Sequence, residues 1–225
     1  QLIQFTQQAQ DAKISLERLN EIHQLEDEEP SQVSFNNHLS DSRNIQLSNL
    51  NFTYTGAGNT PVLKNINVIF PSGKVTAIVG MSGSGKTTIL KLIQKFYETY
   101  QGDIKIGESS LKYISPYFWR SITGSVMQDG FIFSDSIEKN IAVGDEISDY
   151  NNLIHACKVA NILSFIETLP LGFNTKIGAE GNGISAGQKQ RLLIARAVYK
   201  NPQFLFFDEA TNALDANNEK AIMEN

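Results

Sequence analysis

The sequence predicts an α/β protein, and three observations carry that prediction. The 225 residues are 41% hydrophobic, which suffices for one substantial core or a core with a satellite subdomain. A glycine-rich loop stands between the apolar, β-branched run 75–79 and a segment with apolar residues at helical spacing. The continuously apolar run 204–207 is typical of a strand that is buried on both faces of a parallel sheet.

The glycine-rich loop fits the phosphate-binding pattern G-x-x-x-x-G-K-[ST]. Its residues are Gly80, Met81, Ser82, Gly83, Ser84, Gly85, Lys86, Thr87 and Thr88. The glycines are expected to adopt positive φ and to bring N–H groups against phosphate oxygens, next to the positive end of the following helix. Lys86 is then placed to reach the β- and γ-phosphates, and Thr87 offers a hydroxyl to Mg²⁺. The alternative is a glycine-rich turn with a solvated lysine.

Two carboxylates, Asp208 and Glu209, follow the apolar run 204–207. They are predicted to lie at the carboxyl end of a buried strand, where α/β sheets bind ligands. Asp208 is the natural partner for Mg²⁺ held by Thr87, and Glu209 is suited to polarise water for attack on the γ-phosphate. The alternative is a strand end capped by solvated acids.

Composition excludes several other classes of protein. The net charge of −5 gives no general basic field, so no nucleic acid partner is expected. The single cysteine, Cys157, excludes an internal disulfide framework and reads as a small core residue. No apolar run approaches the length of a membrane span.

The chain is expected to contain three parts. Residues 1–29 are predicted to form a helix with one apolar face, residues 30–43 a linker, and residues 44–225 the main domain. Period-two patterns predict antiparallel strands from residue 45 to 54, with a phase slip after Leu47, and from 66 to 70. Further predicted elements are strands at 102–107 and 124–128, one helix with its apolar face from 153 to 166, and a helix over 185–199. Because the last four residues carry no helix stop signal, we expect the domain to continue beyond Asn225.

The run 184–191, followed by 204–211, resembles the signature motif and the Walker B strand of ATP-binding cassette (ABC) proteins. The family's usual L-S-G-G-Q reads here as Ile184, Ser185, Ala186, Gly187 and Gln188. The resemblance implies a P-loop NTPase (RecA-like) core with an antiparallel β subdomain and a helical subdomain over about 129–200. The start of the helix, Ser185 to Gln188, also fits a capping box on its own.

The resemblance also implies roles for single residues. Tyr54 would stack on adenine with Val62 beside the nucleotide, although a strand aromatic packed in the core is the alternative for Tyr54. Gln128 would contact Mg²⁺ and the attacking water, so the implied catalytic residues are Lys86, Gln128 and Glu209. The run 212–215, which ends in Asp215, resembles the D-loop. A family histidine that contacts the γ-phosphate would follow the D-loop, and none of the three histidines does so.

Two further resemblances point to partners. The run 129–141 is similar to the segment of exporters that receives the membrane domain, with Phe131 and Phe133 as the socket, and 178–181 resembles the exporter X-loop. Packing inside the domain is the alternative for both phenylalanines. The helix 1–29 looks like the continuation of a last transmembrane helix, so a transmembrane domain of the same or another chain is an implied partner.

The resemblance implies the ATP-hydrolysing motor of an exporter at the cytoplasmic face of a bacterial membrane. It is most like peptidase-containing exporters of bacteriocins and double-glycine leader peptides. A second ABC domain would bind head to tail, so that each signature motif covers the ATP on the opposite phosphate loop. A soluble ABC ATPase that acts on DNA or ribosomes and a regulator that binds nucleotide without hydrolysis are the alternatives.

Overall fold

The computed structural model describes residues 2–25, 27–30, 33–56, 58, 60–178, 181 and 183–209. The predicted D-loop with Asp215 and the residues 179 and 180 of the predicted X-loop lie outside these described residues. The chain divides into two compact units, Gln1–Phe35 and Asn36–Asn225.

The first unit contains one helix, α1 (Leu2–His23), so a helix lies where one is predicted, but it ends before residue 29. It ends before the acidic run that follows, because carboxylates oppose the negative end of the helix dipole, and His23 lies in its last turn. Its apolar side chains Phe5, Leu16, Leu19 and Ile22 are exposed. No helix in the described ranges is both long and apolar enough to cross a membrane.

The second unit opens with a four-stranded antiparallel sheet of order β2-β1-β3-β4. Its strands are β1 (Ile45–Phe52), β2 (Leu63–Phe70), β3 (Gln101–Ile106) and β4 (Ser109–Ser110). The predicted phase slip is confirmed, because the register of β1 against β2 shifts between Leu47 and Leu50. Asn49 lies in this shift with φ 49, a left-handed conformation that Asn adopts more readily than most residues.

A second layer packs on this sheet and carries the site. It consists of α2 (Lys86–Ile93), α3 (Pro116–Ile122), and the parallel strands β5 (Thr123–Val126) and β8 (Phe204–Phe207). Trp119 is fully buried between them, donates its indole N–H to the carbonyl of Ile93 at 2.9 Å, and contacts the rings of Phe204 and Phe206. This core fixes the end of α2 against β8.

The parallel pairing of β8 is confirmed, but its burial on both faces is not. Phe206 is buried against Trp119, whereas Leu205 and Phe207 are 44% and 41% exposed. Within the described residues, β8 is covered on the face that carries Phe206, while Leu205 and Phe207 point to the other face. The apolar run therefore predicts the strand but overestimates its burial.

The strand predicted over 75–79 is absent from the described part of the fold. Val75 and Val79 are 84% and 88% exposed. In the described residues β5 and β8 pair with each other in a two-stranded sheet, and no ladder joins this run to either of them. An apolar β-branched run forms a strand only where a neighbour supplies hydrogen bonds, which composition alone does not reveal.

The helical part of the unit has its own core. It contains β6 (Asp135–Ser136), α4 (Ile137–Ile141), α5 (Tyr150–Val159), α6 (Leu163–Thr168), β7 (Lys176–Ile177) and α7 (Ala186–Tyr199). The single helix predicted through residue 166 is wrong, because the chain breaks at Asn161, where φ is 51. The two helices α5 and α6 still bury the predicted residues, since Leu153, Cys157 and Ile166 lie in one cluster with α7.

Candidate functional site

The glycine-rich loop curls as predicted at two of its three glycines. Gly83 has φ 78 and Gly85 has φ 92, and Gly85 is the residue that precedes α2. Gly80 does not adopt positive φ, so that expectation is wrong. A Cβ at Gly80 would lie 2.9 Å from the hydroxyl oxygen of Ser84, a contact that rotation of the Ser84 side chain relieves.

Gly85 is the tightest point of the loop. A Cβ there would lie 2.7 Å from Cδ2 of Leu63 and 3.5 Å from Cγ1 of Val62. The loop backbone therefore lies directly on the start of β2, which places Val62 beside the loop. No side chain caps the first turn of α2, so its N–H groups face the loop and the positive end of the helix is available to an anion.

Lys86 folds back over the loop. Its ammonium donates to the carbonyl oxygens of Gly80 and Met81, both at 2.9 Å. An ammonium has three N–H donors and pivots on a flexible stem, so it can turn towards a phosphate oxygen without moving the backbone. The exposed side chains of Met81 and Ser82 form the tip of the loop.

The loop meets the acidic strand end through Thr87 and Asp208. The Thr87 hydroxyl donates to Oδ1 of Asp208 at 3.0 Å, which joins positions 121 residues apart. Asp208 is 5% exposed, and its Oδ2 has no hydrogen-bond partner among the described residues. A buried carboxylate oxygen without a partner is costly, and a divalent cation relieves that cost.

These two residues fit Mg²⁺. Mg²⁺ is commonly held by one or two protein oxygens together with phosphate oxygens and water, rather than by a cage of protein ligands. The described residues contain no group of three His, Cys, Asp or Glu side chains that could hold a metal. Thr87 and Asp208 would hold the ion, and the ion would offset charge on the phosphates.

Gln128 and Glu209 form a second pair beside the first. Gln128 follows β5 and Glu209 follows β8, and the Gln128 side-chain amide donates to Oε2 of Glu209 at 3.0 Å. Glu209 has φ 51, a left-handed conformation that is unusual for glutamate. Backbone strain of this kind is stored most often at functional sites.

Tyr54 lies over the start of α2. Its hydroxyl forms a hydrogen bond of 2.9 Å with the hydroxyl of Thr88, and either oxygen can donate. Its ring meets the rings of Phe52 and Tyr97 edge to face, at centroid distances of 4.9 and 5.3 Å. The structure therefore places Tyr54 beside the loop and in an aromatic cluster of the core, as the packing alternative predicts. Its stacking on adenine stays a prediction.

The signature segment lies at the start of α7, and its capping box is confirmed. The Ser185 hydroxyl accepts from the N–H of Gln188 at 3.1 Å, and the Gln188 side chain accepts from the N–H of Ser185 at 2.8 Å. Ala186 and Gly187 form the first turn. The Ser185 and Gln188 side chains thus bond to each other's backbone N–H groups, and no hydrogen bond in the described residues joins them to the phosphate loop. The structure brings together Thr87 of the loop with Asp208, and Gln128 with Glu209, but makes no such bond to this segment.

Sequence reasoning missed Arg196, which lies on α7. Its guanidinium donates to the carbonyl oxygens of Phe131 and Asn140 and to Oδ1 of Asn140, at 2.8, 2.7 and 3.2 Å. Burial lowers the pKa of this guanidinium from its usual value. A cation in the otherwise apolar run 192–199 needs buried acceptors, but the sequence does not say where in the chain they lie.

The fold and this arrangement define a class of protein. A glycine loop at a helix N-terminus, facing an aspartate and a glutamate at the end of a parallel strand, is the phosphate site of a P-loop nucleotide-binding domain. The family model described as ABC transporter matches residues 63–212. The chain belongs to the ABC transporter family, and the resemblance inferred from the sequence is confirmed at that level.

Similar proteins come from several kingdoms. ABC transporter B family member 22 of Arabidopsis thaliana is 41% identical over 80% of this chain and 15% of its own length. Multidrug resistance protein pgp-1 of Caenorhabditis elegans is 40% identical over 80% of this chain and 14% of its own length. A mitochondrial member of mouse, ATP-binding cassette sub-family B member 10, is 40% identical over 80% of this chain and 26% of its own length. The chain thus spans between a seventh and about a quarter of these relatives.

A solved structure gives the same family. A bacterial Atm1-family ABC exporter with ATP bound is similar over 96% of this chain and 37% of that chain, with a TM-score of 0.84 and 32% sequence identity. The mixed α/β fold with an antiparallel sheet and a helical part, predicted from the sequence, is confirmed by this likeness.

Proposed function

We propose that the chain is the ATP-binding and ATP-hydrolysing motor domain of an ABC exporter. The observation that carries the proposal is the pair of contacts Thr87–Asp208 and Gln128–Glu209, which assemble metal-binding and water-activating groups from three distant parts of the sequence. Thr87 and Asp208 hold Mg²⁺, Lys86 and the loop N–H groups bind the phosphates, and Tyr54 and Val62 border the base. Glu209 accepts the proton of the attacking water, and Gln128 orients Glu209.

The partners follow from the resemblance to exporters. A second ABC domain binds head to tail, and its Ser185 to Gln188 segment covers the ATP on the opposite loop. That segment is suited to this role because it is an uncharged, glycine-containing helix start. A transmembrane domain contacts Phe131 and Phe133, whose side chains are 65% and 47% exposed, and the helix α1 continues from its last span. This arrangement places the domain on the cytoplasmic side of a membrane.

The identity of the transported substrate is the most specific part of the proposal. A peptide or bacteriocin rests on the resemblance to peptidase-containing exporters, whereas the relatives at about 40% identity include a multidrug resistance protein and a mitochondrial member. Double-glycine leader peptides added to the reconstituted transporter should raise ATP hydrolysis if the peptide assignment is right. Stimulation by lipophilic cations but not by leader peptides would replace it with a multidrug assignment.

The experiment that tests the ATPase assignment is Lys86→Ala in the intact transporter. Removal of the positive charge at the γ-phosphate should remove most steady-state phosphate release, on the order of a hundredfold. Lys91→Ala, on the same helix but outside the loop, is the matched control and should keep the parent rate. Activity of Lys86→Ala near the parent level contradicts the proposed site.

A further inference from the structure

The segment 130–136, which follows Gln128, is fixed to α7 by an unusual set of contacts. Arg196 binds the carbonyl oxygen of Phe131 at 2.8 Å and the carbonyl oxygen of Asn140 at 2.7 Å. Asn140 is 1% exposed, and its side chain binds both the N–H and the carbonyl of Phe133, at 2.8 and 3.0 Å. Arg196 and Asn140 together therefore hold the backbone on which both exposed phenylalanines stand.

Arg196 is a geometric clamp rather than one half of an ion pair. No carboxylate lies within salt-bridge distance of it in the part of the chain that the structure describes. Its acceptors are two backbone carbonyls and one amide oxygen, and its guanidinium lies 5.3 Å from the centroid of the Phe133 ring. The three bonds come from three separate nitrogens of the planar guanidinium, whereas an ammonium has only one nitrogen from which to donate.

Other contacts hold the same segment from two more sides. A Cβ at Gly130 would lie 2.2 Å from Cδ1 of Leu193 on α7, so the backbone rests directly on that helix. Strand β6 pairs with β7, and a Cβ at Gly178 would lie 2.9 Å from the carbonyl oxygen of Phe133. The segment therefore cannot move without moving α7 or the residues that precede the signature segment.

The placement of Gln128 gives this clamp a consequence. Gln128 is tied to Glu209 on one side, and Phe131, three positions later, is tied to Arg196 on the other. The N–H of Gly130 bonds to the carbonyl of Met127 at 3.2 Å, which closes a turn between the two ties. A change in the position of Arg196 therefore moves the side-chain amide of Gln128, which orients Glu209.

We propose that Arg196 is a positioning residue for ATP hydrolysis, which sets the position of Gln128 by clamping the segment 130–136 onto α7. The proposal rests on the proposed ATPase function of the same site. It also links Phe131 and Phe133 to Gln128, because Arg196 holds the backbone of the segment on which these two residues lie.

The test compares Arg196→Lys with the parent in the full transporter that contains this chain. Lysine keeps the charge but cannot make the three bonds of the guanidinium. Displacement of a catalytic group by about 1 Å can lower a rate about a hundredfold. The kcat for ATP should fall about tenfold while the KM for ATP stays within about twofold, because the phosphate loop is not touched. Lys200→Gln, an exposed charge change just after α7, is the matched control and should keep the parent kcat.

A positioning role differs from a merely structural one in two readouts. The thermal midpoint of Arg196→Lys should stay near that of the parent, and the effect of Phe131→Ala on kcat should be much smaller in the Arg196→Lys background than in the parent. A parent-like kcat for Arg196→Lys, a loss of activity that only follows the loss of folded protein, or fully additive effects would each overturn the proposal.

A second pair of variants decides the matter if Arg196→Lys does not fold. Gly130→Ala should lower kcat by lifting the segment off α7, and adding Leu193→Ala should restore kcat by making room for the new methyl group. A parent-like kcat for Gly130→Ala, or no recovery in the double variant, overturns the clamp. The ATPase assignment is tested separately, because it fails if Lys86→Ala leaves hydrolysis intact, whatever Arg196→Lys does.

Discussion

The amide nitrogen of Gln128 lies 3.0 Å from Oε2 of Glu209, so two residues 81 positions apart share one hydrogen bond at the ends of adjacent parallel strands. The bond fixes one oxygen of a carboxylate whose backbone is already held at φ 51. These two restraints suit Glu209 to the role of general base proposed for it. The efficiency of a general base depends on where its oxygen lies relative to the attacking water.

Glu209→Gln should separate ATP binding from ATP hydrolysis. The amide has the same shape, and its carbonyl oxygen still accepts from Gln128, but it cannot take a proton. Hydrolysis should fall on the order of a hundredfold or more while binding of Mg-ATP is kept. Single-turnover phosphate release and binding of a fluorescent ATP analogue measure the two effects. Asp129→Asn is the charge-matched control, and equal losses in both variants would argue that the effect is only a change of local charge.

Thr87→Val should lower the affinity of the site for Mg²⁺ and the stability of the fold. Valine matches the shape of threonine but leaves buried Asp208 without its donor, which costs about 1–3 kcal/mol in the free energy of unfolding. The Mg²⁺ concentration that gives half-maximal ATPase activity should rise, and urea unfolding should report the loss of stability. Thr87→Ser keeps the hydroxyl and should stay near the parent in both assays. Similar values for Val and Ser would remove Thr87 from the metal site.

The sequence predicts this site better than it predicts the sheet around it. The spacing from Gly80 to Thr87 and the acids after 204–207 are local signals, and the fold brings Thr87 to Asp208 as expected. The strand over 75–79 and the second covered face of β8 depend on which strands lie alongside, and local composition carries no information on that. Arg196 was missed for the same reason, because its acceptors lie 56 and 65 positions away.

Tyr54→Phe should separate the hydroxyl of Tyr54 from its ring. The variant loses the bond to Thr88, which is worth about 1 kcal/mol in the free energy of unfolding, but keeps the edge-to-face contacts with Phe52 and Tyr97. ATP affinity should remain close to that of the parent if the ring supplies the contact with adenine. Tyr54→Leu should lower ATP affinity by about two- to tenfold. Titration with a fluorescent ATP analogue compares all three, and a parent-like affinity for Tyr54→Leu contradicts stacking.

Cys157 should be a silent thiol in the folded chain. Burial raises its pKa from 9.0 to about 12, so the folded chain favours the neutral thiol. This contribution to stability is complete below about pH 9 and is lost as the pH rises towards 12. Labelling with a thiol reagent at pH 8 should be slow until urea unfolds the helical part. The loss of stability from pH 8 to pH 11 should be smaller in Cys157→Ala, and an identical loss in both proteins contradicts the buried thiol.

Three glycine-to-alanine substitutions should separate backbone strain from crowding at the phosphate loop. Gly83, Gly85 and Gly144 have φ of 78, 92 and 95, so alanine at each costs about 1–2 kcal/mol of strain. Gly85 alone adds a clash, because its Cβ would lie 2.7 Å from Cδ2 of buried Leu63, whereas no described atom lies within 4 Å of a Cβ at Gly83 or Gly144. Overpacking costs about 1–3 kcal/mol more.

Urea unfolding should therefore place Gly85→Ala well below the other two variants, which should be similar to each other. Gly144 lies outside the loop, so Gly144→Ala should lose stability without losing ATP affinity. Gly83→Ala should lose a moderate amount of both stability and ATP affinity. Gly85→Ala should lose most of its ATP affinity, because the clash pushes the loop N–H groups away from the phosphates. Equal affinities for Gly85→Ala and Gly144→Ala would show that the loop backbone does not bind the phosphates.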